Sequence, residues 1–98
     1  MKAYTNEQLF EADVRNYLDK IANMLILKNK QYGDSALNPI RIFSKANTNE
    51  QLLVRLDDKL SRIVRGDVSL ENEEVLDDIM GYLTLIGVNK KREAEDAV

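Results

Sequence analysis

One proline and four glycines punctuate the whole chain, and between them run three stretches in which apolar residues recur every three or four positions. Few breakers and a 3.6-residue period favour long helices over a turn-rich β fold. Thr5 or Asn6 can cap a first helix from Glu7 to Lys30. Its stripe is Phe10, Val14, Tyr17, Ile21, Met24 and Leu25, widened by Ala3, Leu18 and Leu27. Gly33 stops it and Pro39 forbids early resumption. A second helix, Glu50 to Arg65, would be capped by Thr48 or Asn49, turn Leu53, Leu56, Leu60, Ile63 and Val64 inward, and end at Gly66. A third would run from Leu70 to Asn89 behind a Ser69 cap, with a charged tail over residues 90–98 that extends it or frays.

The expected fold is therefore all-α: one domain over residues 1–98, a bundle of three main helices. An N-terminal arm covers residues 1–6. The irregular stretch 31–49, with a short helix around Ile40–Lys45, is long enough to read as a functional loop. Met80, Tyr82, Leu85 and Ile86 spread over much of the last helix's circumference. Stripes this wide are most simply buried by a homo-oligomer that completes a larger bundle.

No cysteine or histidine occurs, which removes disulfides, thiolate nucleophiles, Cys/His zinc sites and an imidazole base. A net charge of −3 argues against general nucleic-acid binding. No apolar run approaches the roughly 20 residues that span a bilayer, and no signal-peptide core is visible, so no membrane association and a cytoplasmic location are expected. The charge is unevenly placed. From Lys28 to Arg65 there are eight basic residues against four acidic ones, and from Asp67 to Asp78 six acidic residues and no basic one.

In a helix Glu71, Glu74 and Asp78, at i, i+3 and i+7, project along one line. With Val75 at zero and about 100° per residue, Glu71 and Asp78 fall at the edge of the Val75, Ile79, Tyr82, Leu83 and Ile86 stripe, Glu74 slightly further out, and Asp77 away from it. Carboxylates crowded at a core boundary call for a cation, and Mg²⁺ held by Glu74, Asp78 and one of Asp57 or Asp58 would answer. Acidic residues in a first helical turn equally answer the helix dipole. Lys28 and Lys30 offer cations for phosphate, Tyr32 offers a flat ring for a base, and Arg55, Asp58, Lys59 and Arg62 share the polar half of the second helix. That surface could also be simply solvated, with Asp58 and Arg62 paired at i,i+4.

Three blocks in order, Lys28-Asn29-x-x-Tyr32-Gly33-Asp34, Arg55-Leu-x-Asp58-Lys59-Leu-x-Arg62 and Glu74-x-x-x-Asp78-Ile-x-Gly81-Tyr82, resemble the nucleotide-modification-associated domain family of phage and bacterial proteins. That family is similar to the all-α MazG-like nucleotide pyrophosphohydrolases. The resemblance covers about two thirds of the chain and implies an oligomeric helical fold acting on nucleotides. In MazG-like enzymes a Glu-Glu-x-x-Glu helix and a later Glu-x-x-Asp helix hold Mg²⁺ against a triphosphate, which is cleaved between its α and β phosphorus atoms. Here Asp78 matches the Asp of the second motif and Glu74 stands in for its Glu. No Glu-Glu-x-x-Glu precedes it, leaving Asp57 and Asp58, with Asp34 from the loop. Lys28, Tyr32, Asp34, Arg55, Lys59, Arg62 and Tyr82 would bind the nucleotide. The implied function is a Mg²⁺-dependent nucleoside triphosphate pyrophosphohydrolase. The alternatives are a non-catalytic phage protein that sequesters a nucleotide or cyclic nucleotide inside the bacterial host, and a purely structural oligomerisation module.

Overall fold

A computed structural model describes residues 3–97 as three helices: α1 (Asn6–Gln31), α2 (Thr48–Val64) and α3 (Glu73–Asp96). Met1 and Lys2 of the expected arm and Val98 of the tail lie outside the described residues. No strand occurs among the described residues, and none of the helices is long and apolar enough to cross a membrane.

The helix ends follow side-chain chemistry. Thr5 caps α1 in a capping box: Gln8 N–H donates to Thr5 Oγ1 at 3.1 Å, and Thr5 N–H donates to Gln8 Oε1 at 2.9 Å. After α1, Gly33 and Asp34 both take left-handed backbone, φ 65° and 63°. Asp34 holds that conformation through its side chain, which accepts from Asn29 Nδ2 at 2.8 Å and Asn38 Nδ2 at 3.2 Å.

α2 is capped by Asn47, whose Oδ1 accepts from Glu50 N–H at 2.8 Å, and not by Thr48 or Asn49. The Thr48 hydroxyl is used elsewhere, accepting from Arg41 at 2.8 Å and donating to Leu37 O at 3.2 Å. Gly66, at φ +81°, ends the helix region as expected. Asn72 caps α3 in place of Ser69, its Oδ1 accepting from Glu74 and Val75 N–H, so Glu71 precedes the helix and leaves the helical line drawn from sequence. The tail continues α3 to Asp96.

The short helix expected around Ile40–Lys45 does not form. Six residues recover too little to offset helix nucleation. Arg41 instead pins the segment open, donating to Ala46 O at 3.0 Å as well as to Thr48.

α3 is the central element; α1 and α2 each pack on it and not on each other. Ile21 on α1, Leu52 on α2 and Ile79 on α3 are the buried apolar side chains. Full burial of a side chain of this size contributes about 1.5–3 kcal/mol. At the α1–α3 crossing Gly81 admits the partner helix closely. A Cβ there would stand 3.1 Å from Leu25 Cδ2 and 3.2 Å from Met24 Cε.

Because α3 is sandwiched, its buried positions are not one stripe. Asp77, expected to face outward, is only 8% exposed. It accepts from Tyr17 Oη at 2.7 Å, and Lys20 Nζ lies 3.0 Å from its other oxygen while also pairing with Glu73. The Tyr17 hydrogen bond and then Lys20 hold the Asp77 carboxyl below its ordinary range. The same hydrogen bond raises Tyr17, and the bonds to Glu73 and Asp77 raise Lys20. On α2 the covered face is Leu52, Leu56 and Ile63, whereas Leu53, Leu60 and Val64, expected inward, are exposed, as is Leu83 on α3. Leu18 and Leu27 on α1 are exposed too.

Candidate functional site: a cationic cleft between the outer helices

Because α1 and α2 diverge over α3, a cleft opens between them with α3 as its floor. It holds a cavity of about 310 Å³, at the lower end of the roughly 300–1,000 Å³ of small-molecule sites. The end of α1 and the turn after it supply Lys28, Asn29, Tyr32, Ser35 and Ala36. α2 supplies Arg55 and Lys59, and α3 supplies Asp78, Gly81, Tyr82 and Leu85.

The local sequence explains each placement. Lys28 lies two turns along the α1 stripe from Ile21, so the position that would carry another apolar residue carries an ammonium at the edge of the core. Arg55 and Lys59 are one turn apart on α2, and Leu56 between them faces α3, half-buried. Asp78 lies between buried Asp77 and buried Ile79 in sequence, and its half-buried side chain sits between the two outer helices, in reach of both. Asn29 fixes the cavity wall. Its Nδ2 donates to Asp34, its Oδ1 accepts from Ala36 N–H at 3.1 Å, and the post-helical turn is folded against α1 as a result.

The electrostatic centre is Asp78. Lys28 Nζ lies 3.3 Å from its Oδ1 and Lys59 Nζ 3.1 Å from its Oδ2. Both ammonium groups therefore converge on one point from opposite walls. Arg55 adds a third cation that makes no ion pair among the described residues. Three cations against one carboxylate leave the cleft net positive. Ion pairs this accessible are worth at most about 1 kcal/mol, so an incoming anion that offers several oxygens to both lysines can displace Asp78 from them. Tyr32 is 69% exposed at the mouth and Tyr82 half-buried in the lining, giving two aromatic faces beside the cations.

Six residues singled out from three separate sequence blocks thus line one cavity: Lys28, Tyr32, Arg55, Lys59, Asp78 and Tyr82. Five others do not. Asp34 fastens the turn and borders a neighbouring, mostly apolar cavity of about 280 Å³. Arg62 is exposed, one turn beyond Lys59 on the same side of α2. Glu74, Asp57 and Asp58 are exposed and line neither cavity. Among the described residues no three carboxylates come together in a group able to hold a metal ion. Asp78 is the one carboxylate lining the cationic cleft, and both its oxygens face ammonium groups, so these residues do not fit a protein cage for Mg²⁺. Asn29 and Gly81, present in the quoted blocks without an assigned role, prove to shape the wall and floor. Their signal was proximity in sequence to Asp34 and Asp78. Comparison with family models, curated proteins and solved structures gives no match.

Proposed function

We propose that this chain binds a nucleotide in the cleft between α1 and α2. The observation that carries the reading is the convergence of Lys28 and Lys59 on one point, with Arg55 close by and Tyr32 and Tyr82 in the same lining. Lysine and arginine together grip phosphate as point charge and planar fork. Aromatic faces accept any base, each stack being worth about 1–3 kcal/mol. In the free protein Asp78 occupies the lysines and keeps the cleft from binding every passing anion; a polyphosphate takes them over. The nucleotide association implied by the sequence resemblance supports the same class of ligand.

The reading is of binding. Hydrolysis would ask the cleft for a metal-holding carboxylate set, and the donor set here is one aspartate between two lysines. The cleft's own groups bind and orient.

The test is a thermal-shift panel of nucleoside triphosphates and cyclic nucleotides, each with and without Mg²⁺, followed by calorimetry and product analysis on any hit. Ligand that binds only the folded chain raises its melting temperature by mass action. At least one nucleotide should stabilise the protein without Mg²⁺ and be recovered intact. Lys59→Ala should weaken its binding about tenfold or more, as loss of a charge-assisted bond does. No stabilisation by any nucleotide, or binding indifferent to Lys59→Ala, overturns the proposal. Cleaved product would return the site to the hydrolases.

A further inference from the structure

Asp78 marks the kind of anion for which the cleft lysines are set. Lys28 Nζ lies 3.3 Å from one of its oxygens and Lys59 Nζ 3.1 Å from the other, so ammonium groups from opposite walls share the two oxygens of a single carbon. Two oxygens on a single phosphorus meet the same demand. Arg55, one turn from Lys59 on α2, lines the same cavity and makes no ion pair among the described residues. The carboxylate therefore satisfies two of three cations and leaves the third open.

An incoming phosphate must first take the lysines from Asp78. The displaced carboxylate is not trapped, because its side chain is 27% exposed and water can take it up. What the newcomer then gains depends on how its phosphorus is linked. A phosphodiester brings one charge and two free oxygens, as a carboxylate does. It replaces Asp78 like for like, and Arg55 stays open. A phosphate linked through one oxygen brings three free oxygens and a charge of about −1.5 to −2 at pH 7. Two of those oxygens serve the lysines and the third is left for Arg55. The added charge meets the two positive charges that remain when three cations line the cavity with one carboxylate. Tyr32 and Tyr82 make no comparable choice, since stacking tolerates any base.

We infer, on the nucleotide reading above, that the cleft takes nucleotides by a singly linked terminal phosphate and turns away phosphodiesters, with Arg55 the residue that tells them apart. Nucleoside 5′-phosphates qualify. Cyclic nucleotides and the backbone of nucleic acid do not.

The experiment is calorimetry on the full chain without Mg²⁺. Nucleoside 5′-monophosphates are compared with their phosphate methyl esters and their 3′,5′-cyclic forms, with the triphosphates alongside. The methyl ester keeps base and sugar and removes one charge and one free oxygen. Monophosphate should bind at least about tenfold more tightly than either diester, as one charge-assisted hydrogen bond provides. Arg55 is exposed, so Arg55→Gln should leave the melting temperature unchanged. It should weaken the monophosphate about tenfold, leave the diesters unmoved and bring the ratio near one. Asp78→Asn removes the resident competitor and should make the diesters bind measurably. Triphosphate binding with monophosphate and diesters equal, or both absent, overturns the inference and leaves the nucleotide reading standing. So does a preference that survives Arg55→Gln, or diesters still excluded from Asp78→Asn. Failure of every nucleotide to bind overturns both.

Discussion

At the scale of single residues, Asp78 decides how the cleft behaves. As a neutral amide in its place, Asp78→Asn would leave Lys28 and Lys59 without a competing anion and keep the shape of the floor. The binding account therefore predicts that Asp78→Asn raises affinity for a Mg²⁺-free nucleoside triphosphate several-fold, read by calorimetry. A drop in affinity, or a loss confined to Mg²⁺-containing buffer, would make Asp78 a direct ligand of nucleotide or metal instead. Asp77, its neighbour in sequence, has a different occupation, tying α1 to α3 through Tyr17 and Lys20. Two adjacent aspartates on one helix thus serve a site and a joint. Nothing in the sequence separates those roles, because a helical projection assumes one covered face and α3 has two.

Among the elements, α1 is held less extensively than α2, and the Tyr17–Lys20–Asp77 group is its polar fastening. Asp77 titrates lower in the fold than its ordinary value of 3.8, so the stability it contributes is present above that value and lost as pH falls through the lowered one. Tyr17 titrates above its ordinary 10.0 and Lys20 above 10.5. Their contribution is intact below those values and lost as pH rises beyond them. Melting temperature should be flat between about pH 5 and 9 and decline on both sides. Asp77→Asn should lower the plateau and flatten both limbs, followed by circular dichroism. Limbs unchanged in Asp77→Asn would place the titrating groups elsewhere. The helices themselves were legible in the sequence, since a 3.6-residue period, Thr5 and the glycines at 33 and 66 mark them within a few residues. The faces were less so. Leu52 rather than Leu53 is buried because Leu52 shares a helical face with half-buried Leu56 and Ile63, and Asn72 wins the α3 cap over Ser69 because its side chain reaches two free N–H groups.

For the molecule as a whole, three helices that meet only through the middle one make an open frame and not a closed bundle. That openness gives the cleft its existence: were α1 and α2 in contact, the three cations would have no common space. That six residues singled out in the sequence line one cleft was legible because each block keeps its chemistry at helical spacing. That Glu74, Asp57, Asp58, Arg62 and Asp34 lie outside its lining was not, because it depends on how the helices are placed on one another. Amide chemical-shift mapping of the isotopically labelled chain, titrated with a nucleoside triphosphate, addresses the cleft directly. The binding account predicts perturbations concentrated at Lys28, Asn29, Tyr32, Arg55, Lys59, Asp78, Gly81 and Tyr82, with Asp57, Asp58 and Glu74 silent. Perturbations centred on those three acidic residues, or none anywhere at saturating nucleotide, would contradict it.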